Sequence, residues 1–292
     1  MKTILVTGGA GFVGSSIIKE LKKRDNDCVI KSLDNYTSGY ASNHIEGVEY
    51  IEGDTWDIDT IETLEAFQPD LVFHFGEFSR IVPSFEHPEL ALKSNQYGTL
   101  QVLNYCLRKK AKLVYSGSSA IFGNDMKDQH LNPYSWSKAK NIELIHNFKD
   151  WFGLQFAICY FYNVYGPGQI LNGTYATVIG IFEKQFAQSL PLTVVSPGTQ
   201  TRAFTHISDI VSGVLLVASQ GEGDRYFLGN TENVSILDVA DMFGSTYTLI
   251  PERRGERVKS VIHESRARTE LGWIPKVELR KYIKEQCTKF TS

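Results

Sequence analysis

The chain has 292 residues, of which 42% are hydrophobic and 22% are charged, and its formal net charge is −3 at pH 7. This balance is typical of a folded globular protein, because disordered chains are poorer in apolar residues and richer in net charge. The slight excess of acidic residues offers no general attraction to nucleic acid. No apolar run approaches the ~20 residues that a membrane-spanning helix needs, so we expect neither a nucleic-acid nor a membrane partner.

The cysteines indicate a reducing compartment. They are Cys28, Cys106, Cys159 and Cys287. They lie far apart and form no CxxC pair, which favours reduced thiols over a disulfide framework or a zinc site. The N-terminus also runs directly into a strand-like segment without a signal-peptide pattern. We therefore predict a cytoplasmic protein that holds no metal.

The first half of the chain alternates short β-branched runs with helical patterns. The predicted strands cover residues 2–7, 28–34, 48–52, 70–75, 112–116 and 155–161. Apolar residues at helical spacing predict a helix from Phe12, another over 58–67, and long helices over 88–109 and 134–152. This alternation is typical of βαβ units, so the fold class is α/β with a Rossmann-type doubly wound parallel sheet.

After about residue 165 the pattern loosens into shorter elements separated by glycine and proline. We predict a first domain over residues 1–165 and, mainly from 166–292, a smaller C-terminal α/β lobe that binds substrate. The helical pattern over 207–219 is also compatible with a return of the chain to the first domain.

A glycine-rich turn follows the first predicted strand and opens the first helix. Its cofactor-binding candidates are Gly8, Gly11, Phe12, Val13 and Gly14. Glycines allow a tight turn and close approach to a pyrophosphate, and the amides of a helix N-terminus favour its negative charge. Asp34 ends the second predicted strand about 20 residues after the last glycine, where a carboxylate binds an adenosine ribose and repels a 2′-phosphate. The first domain is therefore predicted to bind NAD rather than NADP.

A tyrosine and a lysine at i, i+4 spacing begin the helix predicted over 134–152. Tyr134 and Lys138 would share one helix face, where the ammonium stabilises the phenolate and makes the tyrosine a usable acid or base. A solvated surface pair is the alternative for this spacing alone. Ser118 lies in a small-residue cluster after the fifth predicted strand, where open parallel sheets bind their ligands. It is placed to hydrogen-bond a reacting hydroxyl.

These segments resemble the extended short-chain dehydrogenases, in particular the NAD-dependent nucleotide-sugar epimerase/dehydratase family. The matching stretches are TGGAGFVG (7–14), LDN (33–35), GDTWD (53–57), SNQYGT (94–99), YSGSSAIFG (115–123), NPYSWSK (132–138), YNVYGPG (162–168), TRAFTHISD (201–209) and RRGE (253–256). They run in family order over nearly the whole chain. The resemblance implies a Rossmann fold, bound NAD and a nucleotide-diphospho-sugar substrate.

The resemblance also implies roles for individual residues. Tyr134 would be the acid/base, Lys138 would bind the phenol and the nicotinamide ribose, and Ser118 would bind the substrate hydroxyl. Further cofactor contacts are expected from Asn35, Asp54, Thr55, Phe75, Gly76 and Asn95. Diphosphate contacts are expected from Asn163, Arg202 and Arg253, since arginine forks match phosphate oxygens. A surface ion pair is the alternative for each arginine.

The chain departs from the family pattern at four places, one of which is Ala203, where an aspartate commonly follows the phosphate-binding arginine. Related dehydratases carry an Asp-Glu pair directly after the catalytic serine or threonine, whereas this chain has Ser119 and Ala120. Elimination of water is therefore not expected, and Ser119 becomes a substrate-contact candidate. Glu77 and Arg80 stand where relatives have small residues, so they would either pair with each other or contact the substrate. The loop over 124–132 is short.

The predicted function is an NAD-dependent nucleotide-sugar epimerase that oxidises the sugar at C4 to a transient 4-keto intermediate. A 4-dehydrogenase or 4-ketoreductase with net redox change is the nearest alternative. A noncatalytic NAD-binding module is a third, although the presence of Ser118, Tyr134 and Lys138 together opposes it. The helices predicted over 88–109 and 134–152 resemble those of the family's dimer interface, so we expect a homodimer.

Overall fold

The computed structural model describes residues 2–124 and 130–291, so the short loop over 124–132 falls largely outside the described residues. The strands are β1 Thr3–Thr7, β2 Val29–Asp34, β3 Val48–Glu52, β4 Leu71–His74, β5 Lys112–Ser118, β6 Phe156–Phe161, β7 Val164–Tyr165, β8 Leu192–Val195, β9 Thr201–Arg202, β10 Thr205–His206, β11 Gly223–Leu228, β12 Val234–Ser235 and β13 Tyr247–Ile250.

The helices complete the alternation. They are α1 Phe12–Arg24, α2 Glu62–Glu65, α3 Ile81–Glu86, α4 Pro88–Leu92, α5 Gly98–Lys109, α6 Pro133–Phe152, α7 Val178–Ala187, α8 Ile207–Gln220, α9 Ile236–Phe243, α10 Arg266–Thr269 and α11 Leu279–Thr291. Three 3₁₀ turns cover Ala41–Asn43, Thr55–Thr60 and Ser119–Phe122, and a π-helical turn covers Lys93–Tyr97. Within residues 2–124 and 130–291, no helix has the length and apolar character to cross a membrane.

Seven parallel strands form the central sheet in the order β11-β6-β5-β4-β1-β2-β3. The register places Thr7 opposite His74, and Ser118 opposite Phe161, at the carboxyl ends of their strands. Because the strands are parallel, their carboxyl ends, which carry predicted site residues, lie at one edge of the sheet. Helices cover both faces of the sheet. The Rossmann-type fold predicted from the sequence is confirmed.

Three elements differ from the predicted ones. The segment 58–67 forms the end of a 3₁₀ turn and the short helix α2, which suits apolar residues spaced three apart. The helix predicted over 88–109 contains the π-helical turn Lys93–Tyr97, an irregularity that periodicity does not reveal. Strand β11 was not predicted, because its first half is polar and its pairing with β6 shifts register between Gly223 and Tyr226.

The chain returns to the sheet after leaving it. Ile210 and Val214 of α8 are buried in the same cluster as Ile4 of β1 and Ile17 of α1. Helix α8 and strand β11 therefore pack with the sheet, although they follow residue 166. A separate core, which lies beside the sheet domain, is built from α7, β8, α9 and α11. Its members include Ile179, Phe182, Leu192, Val194, Val239, Phe243 and Ile283.

Helix α6 has well-defined ends, and it carries two of the catalytic candidates. Asn132 caps its N-terminus by accepting a hydrogen bond from the Ser135 amide at 2.7 Å, and Pro133 occupies the first turn. Both features favour a helix start at this point. The helix ends at Gly153, whose φ of 75° suits glycine. Tyr134 is thereby fixed in the first turn and Lys138 one turn later.

Candidate active site

A cleft of about 510 Å³ lies over the carboxyl ends of the parallel strands and is closed on its far side by residues of the second core. The predicted site residues that line it are Gly8, Gly11, Phe12, Val13, Gly14, Asp34, Asn35, Thr55, Phe75, Gly76, Glu77, Arg80, Ser118, Ser119, Tyr134, Lys138, Asn163, Arg202 and Arg253. Asp54 and Asn95 are outside this lining. The structure thus brings together nearly all candidates from distant parts of the chain.

The glycine-rich turn is set by close backbone approaches. Gly8 has a φ of +73°, and a Cβ atom there would lie 2.8 Å from the Gly76 nitrogen. A Cβ atom on Gly14 would lie 2.1 Å from the Gly8 carbonyl oxygen. Larger residues are excluded at both positions, so the turn stays tight and the first amides of α1 border the cleft. This arrangement is a ready anion site.

Asp34 connects the end of β2 to this turn. Its Oδ2 accepts a hydrogen bond from the Ala10 amide and its Oδ1 accepts one from the Tyr36 amide, each at 2.9 Å. The carboxylate is only 7% exposed, and it lines the cleft. These two bonds hold it in place while each oxygen keeps further acceptor capacity.

Asp54 and Asn95 support their neighbours rather than the cleft. Asp54 accepts a hydrogen bond from the Asn35 side chain at 2.6 Å. Asn95, in the π-helical turn, is fully buried. Its Oδ1 accepts from the Phe78 amide at 2.7 Å, and its Nδ2 donates to the Phe78 carbonyl and to Ser137 Oγ. Asn95 therefore ties the loop after β4 to helix α6.

Ser118 and Tyr134 approach the cleft from two elements. Ser118 ends β5, and its Oγ accepts from the Ala120 amide at 3.2 Å, which caps the next 3₁₀ turn. The Tyr134 amide donates to Ser84 Oγ at 3.2 Å, which fixes the first turn of α6 against α3. Both side chains line the cleft. A substrate hydroxyl lying between them would meet a hydrogen-bond partner and a proton acceptor.

Lys138 forms a buried ion pair with Glu77. Its ammonium donates to the Glu77 carboxylate and, at 2.6 Å, to the Ser116 carbonyl oxygen. The side chains of Lys138 and Glu77 are only 5% and 1% exposed. The other carboxylate oxygen accepts from three groups, namely Thr99 Oγ1 at 3.2 Å, Tyr115 Oη at 2.9 Å and Asn141 Nδ2 at 2.8 Å. The burial of this charge is therefore compensated on all sides.

This contact corrects the expectation that Glu77 pairs with Arg80. Arg80 instead donates from Nε to the Tyr175 carbonyl at 3.0 Å and from Nη1 to the Ser79 carbonyl at 3.2 Å. Glu77 points into the core under the cleft, where its buried carboxylate needs several hydrogen-bond donors. It therefore bonds to interior groups rather than to Arg80. Both of its oxygens are engaged there, so the predicted sugar contact of Glu77 gains no support from this geometry.

His74 extends the same buried network. Its ring nitrogens lie 2.7 Å from Thr7 Oγ1 and 3.0 Å from Thr99 Oγ1. Complete burial lowers the pKa of His74 to about 4. Thr7 directly precedes the glycine-rich turn, and its Oγ1 also accepts from the Gly76 amide at 3.0 Å. Thr99 donates in turn to Glu77. The neutral imidazole of His74 therefore links the glycine-rich turn, through Thr7 and Thr99, to the Glu77–Lys138 pair.

The phosphate-binding candidates come from the part of the chain that follows β6. Asn163 precedes β7, Arg202 lies on β9, and Arg253 lies on the loop after β13. Glu256 is 3.7 Å from Arg202 and 3.8 Å from Arg253, distances at the outer limit for an ion pair. Burial lowers the pKa of Arg202 from its ordinary value. The two guanidinium groups thus converge on the cleft with one carboxylate between them.

Arg257 is a cleft residue that sequence reasoning missed. It is 7% exposed, lines the cleft and donates from Nη2 to Ser119 Oγ at 2.8 Å. This hydrogen bond fixes the side chain of Ser119, which was predicted as a substrate contact, against the Arg257 guanidinium. The available sequence signal was the arginine-rich run 253–257, which does not tell which of its members points inward.

The Glu77–Lys138 pair has a measurable consequence for stability. In Glu77→Gln an amide nitrogen replaces one acceptor oxygen and faces groups that donate, which leaves the Lys138 ammonium uncompensated. Breaking a buried pair from one side costs roughly 3–5 kcal/mol, and urea denaturation should show a loss of this size. The control Glu143→Gln removes an exposed partner of Lys140 and should cost under about 1 kcal/mol. Equal small losses in both variants would contradict the assigned pair.

Comparison with known proteins identifies the family of this chain. Residues 4–229 match the model of the NAD dependent epimerase/dehydratase family. A putative UDP-glucose 4-epimerase of Methanocaldococcus jannaschii is 29% identical over 297 residues, covering 96% of this chain and 96% of that protein. UDP-glucose 4-epimerase of Thermotoga maritima, solved with UDP-glucose, has a TM-score of 0.91 at 25% identity and covers 99% and 98% of the two chains. That of Thermus thermophilus, solved with NAD, has a TM-score of 0.88 at 27% identity and covers 99% of each chain. The chain belongs to the NAD-dependent epimerase/dehydratase family, and its cofactor is NAD.

Proposed function

We propose that this enzyme is a nucleotide-sugar epimerase that acts through transient oxidation of the sugar at C4. The observation that carries the proposal is the convergence of Ser118, Tyr134 and Lys138 on the cleft that also contains the glycine-rich turn and Asp34. Epimerase relatives with nearly full coverage of both chains support this choice.

The cofactor end fits NAD by the character of its residues. The turn of Gly8 and Gly14 leaves no space for side chains and presents the amides of α1, which suits a pyrophosphate. Asp34 lines the cleft with a fixed carboxylate, which suits a ribose diol. NAD bound here would supply the acceptor for the hydride that leaves the sugar C4 and, in its reduced form, the donor that returns that hydride.

The protein's own groups handle the proton. Tyr134 accepts the proton of the C4 hydroxyl as the hydroxyl becomes a carbonyl, and returns it when the hydroxyl forms again. Ser118 orients that hydroxyl by hydrogen bonding. Lys138 stabilises the deprotonated tyrosine with its ammonium, which Glu77 and Ser116 hold in place. In an epimerase the keto sugar turns between the two steps, so the hydroxyl reforms with inverted configuration.

Elimination of water is not part of the proposal. It needs a proton donor beside the leaving hydroxyl, and the positions after Ser118 are Ser119, which is bonded to Arg257, and Ala120. A 4-dehydrogenase or 4-ketoreductase would use the same three catalytic groups. The two classes differ in cofactor use, since an epimerase needs no net formation of NADH.

At the substrate end, Asn163, Arg202 and Arg253 are proposed to bind the nucleotide diphosphate. Arginine forks match phosphate oxygens, and both guanidinium groups line the cleft. The Thermotoga maritima relative was solved with UDP-glucose, so UDP-sugars are the first substrates to test.

The assembly and location remain predictions. Apolar side chains are exposed along the helices predicted to form a dimer interface: Leu90 on α4, Tyr97 in the π-helical turn and Trp136 on α6 are 43%, 47% and 37% exposed. They support a homodimer. Cys28, Cys106, Cys159 and Cys287 form no disulfide with one another, which is compatible with the predicted cytoplasmic location.

Cofactor choice tests the Asp34 assignment. In Asp34→Ser the carboxylate that binds the ribose and repels a 2′-phosphate is removed, so the preference for NAD over NADP should shrink by roughly tenfold to a hundredfold. Calorimetric titration with both nucleotides measures the preference. Asp150→Ser, an exposed change at the end of α6, should leave it unaltered. Equal affinity of the parent protein for NAD and NADP would refute the ribose contact.

Turnover of Tyr134→Phe tests the chemistry. A phenyl ring fills the same space but cannot exchange a proton, so kcat should fall by about a hundredfold or more while NAD binding persists. The control Tyr247→Phe removes an exposed hydroxyl outside the cleft and should retain full activity. Activity of Tyr134→Phe within about tenfold of the parent at saturating NAD would rule out Tyr134 as the acid/base and assign the proton transfer to another group.

A further inference from the structure

Arg257 carries a buried charge whose hydrogen-bond partners within residues 2–124 and 130–291 are neutral. Its Nη1 and Nη2 donate to the Ser119 carbonyl and hydroxyl oxygens, which are neutral acceptors. Among the described residues no carboxylate lies within ion-pair distance of its guanidinium. Burial, together with the positive charge of Arg202, lowers the pKa of Arg257 to about 10, so it remains a cation at neutral pH. A buried cation of this kind needs an anion to compensate it.

The acidic side chains of the cleft are already engaged. Glu77 is paired with Lys138, and Asp34 accepts backbone amides at the cofactor end. Glu256 lies between Arg202 and Arg253. The lining arginines are Arg80, Arg202, Arg253 and Arg257. A nucleotide diphosphate brings two negative charges when fully ionised, so together with Glu256 it leaves one arginine uncompensated.

The position of Arg257 indicates that the uncompensated positive charge lies next to the expected sugar site. Arg257 holds Ser119, the residue directly after Ser118, which is proposed to bind the reacting hydroxyl. Arg257 and Arg80 line the same cleft as Ser118 and Tyr134. Arg80 is a second cation there whose hydrogen bonds go to backbone carbonyls.

We propose that Arg257 binds a carboxylate on the substrate sugar, with Arg80 adding positive charge, so that the substrate class is a nucleotide-linked uronic acid. The inference rests on the proposed function. A hexuronate carries its carboxylate on C5, next to the C4 that reacts, which matches an arginine one residue from the catalytic serine. A planar carboxylate also fits the guanidinium fork, and Arg257 retains N–H donors that Ser119 does not use.

A matched pair of ligands tests this assignment. UDP-glucuronate and UDP-glucose differ in the sugar carboxylate alone, and their affinities for the NAD-loaded protein can be measured by calorimetry. We expect UDP-glucuronate to bind about tenfold to a hundredfold more tightly. Arg257→Met should remove this preference and leave UDP-glucose binding nearly unchanged. Arg202→Met should weaken both ligands to a similar extent, because its proposed partner is the shared diphosphate.

Two further variants guard against trivial effects. Arg254→Met removes the same charge from the same loop, but Arg254 is exposed, stacks on Phe85 and does not line the cleft, so the preference should persist. Arg257→Lys keeps the positive charge but lacks the guanidinium fork, so it should retain part of the preference for UDP-glucuronate. This variant keeps the test valid if Arg257→Met unfolds. NAD affinity reports intact folding in each variant.

The outcomes separate this inference from the proposed function. Equal affinity of the parent protein for the two ligands would overturn the carboxylate assignment alone. A parallel loss of both ligands in Arg257→Met would overturn it as well, by assigning Arg257 to the diphosphate. Failure of the NAD-loaded parent to bind either UDP-sugar or the corresponding dTDP-, GDP- and CDP-sugars would contradict the proposed substrate class and therefore the function itself.

Discussion

The ion pair between Glu77 and Lys138 joins the elements that form the floor of the candidate active-site cleft. Its two charges are buried, and the pair together with its hydrogen-bond partners draws on four parts of the fold: the loop after β4, strand β5, helix α5 and helix α6. The pair therefore fixes the first turns of α6 relative to the sheet. Tyr134 lies one turn before Lys138, so its place in the cleft follows from the same constraint.

Steric limits act at the other end of the cleft. The turn after β1 and the loop after β4 approach so closely that a Cβ atom on Gly8 would lie 2.8 Å from the Gly76 nitrogen. Thr7 and the neutral His74 continue this contact toward Glu77. One continuous set of backbone contacts and hydrogen bonds thus links the glycine-rich turn to Lys138, and Arg202 and Arg253 complete the lining of the cleft.

The sequence predicted the fold and most of the cleft because their signals are local. Parallel strands bury both faces and read as apolar runs, and the glycine turn and the Tyr134–Lys138 spacing each lie within one segment. Strand β11 was missed since its polar first half has no such signal. The partners of Glu77 and Arg257 were also missed, because they depend on which of several charged side chains points inward. That choice is made by tertiary contacts over separations of 61 and 138 residues.

The central claim is that hydride leaves and returns to one sugar carbon while the product gains an inverted hydroxyl. A UDP-sugar substrate deuterated at C4, incubated with the NAD-loaded protein in ordinary water, tests it most directly. The account predicts a C4-epimerised product that retains the deuterium at C4, with no accumulation of NADH absorbance. Stoichiometric NADH formation, or a product that has exchanged its C4 deuterium for solvent hydrogen, would contradict it.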